Sequence, residues 1–105
     1  MLRDVAISII NYRTADLTIG CARSVLEQIG DVDGEIVIVD NCSGDGSVGM
    51  LRDWIAGLPE GSPVRLVASR ENTGFSGGHN QGIAAVPARY YLVLNSDAVL
   101  HPGFL

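Results

Sequence analysis

YLVLNSD, residues 91–97, is a short apolar run that ends on polar side chains. Residues two apart in a strand point to the same side, which predicts that Asn95 and Asp97 enter one pocket while Ser96 turns away. A carboxylate at the tip of a strand stays hydrated, whereas the same group three residues earlier would be buried very unfavourably. The pattern therefore indicates that Asp97 holds a cation or a hydroxyl group.

Three more apolar runs precede this one, and each is followed by polar or glycine-rich sequence. The predicted strands are 5–10, 35–39, 64–68 and 90–94. Apolar residues at helical spacing predict helices over 15–28, over a segment marked by Val48 to Leu58, and over 79–85, the last after a loop at 71–78. This alternation is typical of right-handed βαβ units, so we expect an α/β fold with a parallel sheet.

The composition suits one domain with a real core, since 47% of the 105 residues are hydrophobic. A net charge of −5 argues against nucleic-acid binding, which needs a basic surface. No apolar stretch approaches the roughly 20 residues that cross a bilayer, and no secretory signal begins the chain, so we expect a cytoplasmic protein. Cys21 and Cys42 lack metal-site spacing and are expected to be unpaired thiols.

Polar residues follow three of the predicted strands, at Asn11, at Asp40 and at 95–97. Ligands of parallel sheets bind beyond the carboxyl ends of the strands, so these residues share one candidate edge. An acid after the second strand also occurs in dinucleotide-binding folds, where it holds ribose hydroxyls. That fold needs a glycine-rich turn after the first strand, however, and residues 11–16 read NYRTAD. A dinucleotide-dependent oxidoreductase is therefore a weaker alternative.

The segment NTGFSGGHNQG, residues 72–82, has the most unusual composition in the chain. Its glycines permit positive φ and close backbone approach, and for Gly74, Gly77 and Gly82 we expect a turn or packing role. Asn80 is as good a candidate for ligand contact as for fixing the segment. His79 is expected to be an exposed or capping residue.

Asp45 and Ser47 are expected to cap a helix, because a helical pattern begins directly after them. Asp40 and Asp97 are also open to a structural role, as caps on the turns that follow them. For both of these residues we favour the functional interpretation.

Four motifs in order resemble the amino-terminal half of a family 2 glycosyltransferase with the GT-A fold. They are NY at 11–12, VDNCSGDGS at 39–47, NTGFSGGHNQG at 72–82 and LNSD at 94–97. The resemblance runs through nearly the whole chain. It implies a Rossmann-like, three-layer α/β fold with a mostly parallel sheet, truncated after about four strands. It also implies that residues 1–105 are the donor-binding part of one domain, whose acceptor half lies elsewhere.

The resemblance implies a nucleoside diphosphate sugar as donor and a glycan or lipid-linked acceptor. Residues 95–97 stand where the family carries its Asp-x-Asp motif, so Asp97 is the expected ligand of Mg²⁺ or Mn²⁺, which bridges to the donor diphosphate. The residues expected to bind the nucleotide sugar are Asn11, Tyr12, Asp40, Asn72, Asn80 and Asn95.

The chain departs from the family pattern at Asn95, where the family has the first acid of its metal motif. An amide gives little help to a metal, so Asp97 is expected to carry most of the protein ligation. This variant resembles the branch of rhamnosyl and galactofuranosyl transferases, which implies dTDP-rhamnose or a UDP-sugar as donor. The general base of inverting transfer is expected beyond Leu105, and this piece alone is expected to be inactive.

A second hypothesis comes from another functional class. Because Asn95 lacks a charge, the chain could be a noncatalytic module that uses a GT-A fold to bind a nucleotide or a glycan.

Two further expectations concern self-association and location. A four-stranded piece exposes an unfinished sheet, which favours self-association. Peripheral attachment at the inner face of the membrane is the alternative to a purely cytoplasmic location.

Overall fold

A computed structural model describes residues 3–30, 32–71 and 74–96, with only the backbone at residues 75 and 76. Strands and helices alternate from one end of this region to the other. Their bounds are β1 (Arg3–Asn11), α1 (Ala15–Ile29), β2 (Gly34–Asp40), α2 (Ser47–Ala56), β3 (Val64–Ala68), α3 (Gly74–Ala85) and β4 (Ala88–Leu94). No helix in the described ranges is long and apolar enough to span a bilayer.

The four strands form one parallel sheet in the order β3-β2-β1-β4. β1 lies between β2 and β4, and at its carboxyl end Asn11 is the register partner of Asp40 in β2. On the other side, Ile9 of β1 is paired with Leu94 of β4. The α/β class and the parallel sheet predicted from the sequence are confirmed.

Both faces of the two central strands are buried, which explains why their sequences are almost continuously apolar. On one face α1 and α2 cover a core made of Ile7, Ile9, Cys21, Ala22, Val25, Ile29, Ile36, Ile38 and Leu51. The opposite face, on which α3 packs, carries a smaller cluster made of Ala6, Val37, Val39 and Val86. Burying one aliphatic side chain of this size contributes about 1.5–3 kcal/mol, so the larger cluster dominates the stability of the sheet.

α3 approaches the sheet closely because it presents glycines to it. A Cβ at Gly82 would lie 2.7 Å from Ser8 Oγ and 3.2 Å from Val37 Cγ1. A Cβ at Gly78 would lie 2.7 Å from Ile10 Cδ1. The packing role expected for Gly82 is confirmed, and Gly74, with φ of 74°, serves the turn that starts the helix.

The predicted loop over 71–78 is wrong, because α3 already begins at Gly74. Glycine lowers intrinsic helix propensity by about 1 kcal/mol per residue, which is why the sequence favoured a loop. Close contact between the glycines and the sheet outweighs that propensity. The other predicted elements agree within a few residues, and β3 has the predicted bounds.

His79 is buried under α3, so the expectation of an exposed or capping residue is wrong. Its Nδ1 lies 2.7 Å from the hydroxyl of Ser8, on the face of β1 that α3 covers. The hydrogen bond joins helix and sheet beside the close contact at Gly82.

β4 is the edge strand next to β1, and several of its side chains are exposed. Tyr90 is 74% exposed, and Tyr91 and Val93 are exposed at 40% and 42%. Leu92 and Leu94 lie on the opposite face from Tyr91 and Val93 and pack against the larger core cluster. β4 therefore contributes to the larger core cluster through one of its two faces only.

Replacing Gly82 with alanine is expected to lower the free energy of unfolding by about 1–3 kcal/mol, because the added methyl overpacks the contact with Ser8 and Val37. Chemical denaturation monitored by circular dichroism measures the change. The control is Gly49→Ala in α2, where an added Cβ meets nothing within 4 Å. That variant should gain up to about 1 kcal/mol from helix propensity. Equal effects of the two substitutions would contradict the close approach of α3.

His79 is expected to make folding sensitive to mild acid. Burial lowers the pKa of His79 from its ordinary value of 6.5. Below about pH 6.5 the unfolded chain therefore binds a proton that the folded chain does not, and stability falls as the pH drops toward the lowered pKa. His79→Gln cannot titrate, so its free energy of unfolding should fall less than that of the parent protein between pH 7 and pH 5. Parallel pH profiles would refute the assignment.

Candidate functional site

The candidate site lies at the carboxyl edge of the sheet, where the chain changes direction across it. β2 and β3 extend the sheet on one side of β1, and β4 returns to the other side. The gap between β1 and β4 is thus the topological switch point, at which open α/β sheets bind their ligands.

A cavity of about 420 Å³ opens at this point. Its lining residues come from the ends of β1 and β4 and from the start of α1, and they are Ile10, Tyr12, Thr14, Leu17, Leu94, Asn95 and Ser96. The volume falls within the roughly 300–1,000 Å³ usual for small-molecule sites, and apolar walls with a few polar groups are usual as well. Tyr12 and Asn95, both predicted from the sequence, therefore share one cavity.

Ser96 lines the cavity with Asn95, so the prediction that it turns away is wrong. Alternation of side chains holds only inside a strand, and β4 ends at Leu94. The hydroxyl of Thr14 donates to Ser96 Oγ at 3.2 Å. The buried thiol of Cys21 in α1 donates to the carbonyl of Asn95 at 3.5 Å. The start of α1 and its second turn therefore hold the segment that follows β4.

Tyr12 lines the cavity just after the end of β1, and Arg13 lies beside it. Tyr12 is 41% exposed, and the guanidinium carbon of Arg13 lies 5.2 Å from the ring centroid, within cation–π range. Arg13 has φ of 57°, which is uncommon for a residue with a side chain. Ser43 holds this conformation, because its hydroxyl accepts from the Arg13 backbone N–H at 2.9 Å and its carbonyl accepts from Nε at 3.0 Å.

Asp40 is buried at the end of β2 and is surrounded by hydrogen-bond donors. Its Oδ1 accepts from Asn11 Nδ2 at 2.8 Å and from the hydroxyl of Ser43 at 2.6 Å. Its Oδ2 accepts from the backbone N–H of Ser43 at 3.2 Å. Hydrogen bonds to a carboxylate are stronger than those between neutral groups, so this set fixes Asp40 firmly. In the described part of the chain its side chain is only 2% exposed.

Asn11 is fully buried beside Asp40. Its Oδ1 accepts from the hydroxyl of Thr18 at 2.7 Å and lies 3.4 Å from the hydroxyl of Thr14. Thr14 precedes α1, yet its side chain does not cap the helix. The structure thus brings Asn11 and Asp40 together behind the cavity.

Sequence reasoning did not single out Arg13, Thr14, Thr18 or Ser43. Their residue types are common at turns and on helices, so composition gives no signal for them. A signal does exist in the spacing, because Ser43 follows Asp40 by three residues, which is the separation of a side chain that folds back on a turn. The network depends on contacts between β1, β2 and α1, which only the fold reveals.

The remaining predicted site residues are Asn72, Asn80 and Asp97. Asn80 is exposed on α3 and is not among the residues that line the cavity. Asn72 and Asp97 lie outside the described residues. Asp45 accepts the backbone N–H of Ser47 at 3.0 Å, but Ser47 is the first residue of α2 and Gly46 holds the N-cap position, so the expected cap positions of Asp45 and Ser47 are wrong by one residue. The hydroxyl of Ser47 lowers the pKa of Asp45, and the charge of Arg13 acts in the same direction.

The expected metal requires oxygen ligands, and the described residues at the cavity partly meet this need. Asn95 and Ser96 supply an amide oxygen and a hydroxyl. No group of three His, Cys, Asp or Glu residues within 3–30, 32–71 and 74–96 could hold a metal by itself. Mg²⁺ and similar cations are commonly held by one or two carboxylates together with substrate phosphates. The described lining therefore supplies only neutral oxygen ligands, and a metal there would need a further carboxylate and substrate phosphates.

Comparison with protein families gives a match over almost the whole chain. The model described as Glycosyl transferase family 2 matches residues 5–105. The succinoglycan biosynthesis protein ExoO of Rhizobium meliloti (strain 1021) is 36% identical over 102 residues, which are 97% of this chain and 28% of that protein. The chain thus spans little more than a quarter of the length of this curated relative.

Solved structures show the same fold. The mannosyltransferase PcManGT from Pyrobaculum calidifontis, solved in complex with GDP-Man and Mn²⁺, superposes with a TM-score of 0.81 at 24% identity, over 94% of this chain and 29% of that one. TarS 1-349 of S. aureus in complex with UDP gives a TM-score of 0.72 at 17% identity, over 90% of this chain and 27% of that one. At these identities the likeness concerns the fold.

Ser43→Ala is expected to lower the free energy of unfolding by about 2–4 kcal/mol, because Asp40, Asn11 and the Arg13 backbone each lose a buried partner. Urea denaturation of the two proteins measures this difference. Ser62→Ala is the control, since its hydroxyl also donates a hydrogen bond, to the carbonyl of Pro59, but in an exposed turn. The control should lose less than about 1 kcal/mol. A similarly small loss for Ser43→Ala would show that the buried network contributes little.

Proposed function

The chain belongs to glycosyl transferase family 2, and we propose that it is the donor-binding part of an inverting glycosyltransferase that uses a nucleoside diphosphate sugar. The observation that carries the proposal is the cavity between β1 and β4, with an exposed aromatic ring at Tyr12 and polar groups at Asn95 and Ser96. A flat aromatic surface suits a nucleotide base, and nearby amide and hydroxyl groups suit ribose and phosphate.

The seven residues expected from the sequence enter the proposal with different support. Tyr12 and Asn95 have exposed side chains at the cavity, which favours direct contact with the donor. Asn11 and Asp40 are buried behind them, and they are not among the residues that line the cavity. Direct roles for Asn72 and Asn80, and metal ligation by Asp97, remain predictions.

Within this proposal the residues of the chain bind and orient the donor. The ring of Tyr12 stacks on the nucleotide base, while Asn95 and Ser96 face the ribose and diphosphate. Asp97, with the diphosphate oxygens, would hold Mg²⁺ or Mn²⁺. When bound, the metal offsets the negative charge that develops on the departing nucleoside diphosphate. The acceptor hydroxyl would lose its proton to an acid residue beyond Leu105, so these 105 residues alone would not support turnover.

The finer proposal concerns the donor and its surroundings. Because Asn95 replaces an acid, we favour dTDP-rhamnose or a UDP-sugar over a GDP-sugar, with a glycan or lipid-linked acceptor. The relative in succinoglycan biosynthesis is in keeping with a role in polysaccharide assembly. The proposed location is the cytoplasm or the inner face of the membrane, and the exposed side of β4 makes an isolated piece prone to self-association.

Calorimetric titration of the full-length protein with UDP, dTDP and GDP, with and without Mn²⁺, tests the proposal. We expect UDP or dTDP to bind more tightly than GDP, and Mn²⁺ to strengthen binding. Tyr12→Ala should weaken nucleotide binding by roughly 5- to 100-fold through lost stacking, whereas Tyr12→Phe should retain it. Tyr90→Ala is the control, because Tyr90 is a highly exposed tyrosine of β4 that does not line the cavity.

Asp97→Ala should remove the strengthening by Mn²⁺ and leave most of the metal-free affinity. The assignment fails if no nucleotide binds to the full-length protein. An unchanged metal effect in Asp97→Ala would refute the metal site alone. Nucleotide binding with no sugar transfer to any glycan or lipid-linked acceptor would support the noncatalytic alternative that Asn95 suggests.

A further inference from the structure

A chain of hydrogen bonds runs behind the cavity from β2 through β1 and α1 to the segment after β4. It begins at Asp40, passes through Asn11 to Thr18 and Thr14, and ends at Ser96. The contact between Thr14 and Ser96 joins residues 82 apart in the sequence. The chain thus connects both sides of the cavity through the protein interior.

Protein groups already engage both ends of the Asn11 side chain. Its Nδ2 donates to Asp40 at 2.8 Å and to Ser43 Oγ at 3.3 Å, which uses both amide hydrogens. Its Oδ1 takes the hydroxyl of Thr18 at 2.7 Å and faces that of Thr14 at 3.4 Å. The side chain is also completely buried, so a ligand in the cavity meets other residues first.

Thr18 makes the shortest of the hydrogen bonds to Asn11 Oδ1. It is completely buried on α1, on the side that faces the sheet, and it is not among the residues that line the cavity. The side-chain amide of an asparagine can flip, which exchanges the positions of its donor nitrogen and its acceptor oxygen. A hydroxyl donor at 2.7 Å fixes the acceptor end toward α1, and the donor end then points at Asp40.

Thr14 connects this buried group to the cavity wall. A hydroxyl has one hydrogen, so Thr14 donates either to Ser96 Oγ at 3.2 Å or to Asn11 Oδ1 at 3.4 Å at any moment. Thr18 satisfies Asn11 Oδ1 with the shorter bond, so loss of its hydroxyl would draw the hydroxyl of Thr14 toward Asn11 and away from Ser96. The hydroxyl of Thr18 in α1 therefore affects both Asp40 and Ser96, on opposite sides of the cavity.

We propose that Asn11 and Thr18 are positioning residues, which set the geometry of Asp40 and Ser96 without contacting the donor. This inference rests on the proposed nucleotide-sugar site and replaces the direct contact that the sequence predicted for Asn11. Thr18 orients the amide of Asn11. The oriented amide fixes Asp40 and Ser43, and Ser43 in turn fixes Arg13 beside Tyr12.

Two substitutions at Thr18 separate its hydroxyl from its packing. Thr18→Val keeps the shape and loses the hydroxyl, and Thr18→Ser keeps the hydroxyl and loses a methyl group. In calorimetry of the full-length protein with Mn²⁺ and the nucleoside diphosphate that the parent protein binds best, Thr18→Val should weaken binding roughly three- to ten-fold. Thr18→Ser should stay within about two-fold of the parent protein.

Ser24→Ala is the matched control for loss of a buried hydroxyl from α1. Ser24 is buried on the same helix and donates to the carbonyl of Cys21 at 2.7 Å, away from Asn11. Its removal should lower the melting temperature much as Thr18→Val does, yet leave nucleotide affinity within about two-fold. Equal loss of affinity in the two variants would show that general destabilisation is responsible, and would overturn the positioning role.

A ligand-free measurement keeps this inference separate from the proposed function. In amide NMR spectra of the full-length protein, Thr18→Val should shift the signals of Ser43 and Ser96, on opposite sides of the cavity, and Ser24→Ala should shift neither. If the parent protein binds no nucleotide, the proposed function fails, but the spectra still test the hydrogen-bond network around Asn11 and Thr18. If Thr18→Val leaves both signals in place, the positioning role is refuted even when nucleotide binds.

Discussion

The pairing of Asn11 with Asp40 is the constraint on which the arrangement of the site depends. The two residues are register partners at the ends of neighbouring parallel strands, so their side chains emerge on the same face of the sheet. A shift of the register by one residue would turn one of them to the opposite face and leave a buried carboxylate without its amide donor. The alignment of the central strands therefore also fixes the buried pair behind the cavity.

Local sequence predicts where the strands lie along the chain. It also predicts which edge of the sheet carries the site. An apolar run that ends on Asn11, Asp40 or Asn95 marks both a strand and the edge of the sheet at which that strand ends. β3 has the bounds that its sequence predicts, because apolar residues and the prolines before it define it without help from the rest of the fold. Asn95 could be proposed for the same reason, since its position after a strand is a local property, whereas Tyr12 was proposed from the resemblance to the family.

The features that sequence reasoning missed depend on contacts between distant segments. α3 contains glycines that favour a loop in isolation, and only their contact with Ser8, Ile10 and Val37 makes a helix favourable there. His79 is an ordinary surface residue type until that helix brings it against Ser8. Ser96 was assigned to the wrong side because the period of a strand was extended past its end. Thr18 and Ser43 have no distinctive composition, and their importance comes from what the fold brings beside them.

The position of β4 also has a consequence for how the chain folds. β1 and β2 are joined by a single helix, whereas two strands and three helices lie between β1 and β4 in the sequence. Closing a longer loop loses more chain entropy, and the loss grows with the logarithm of the loop length. The buried pair of Asn11 and Asp40 can thus assemble early, from neighbouring segments. The cavity itself appears last, and during synthesis its second wall does not exist until Ser96 has left the ribosome.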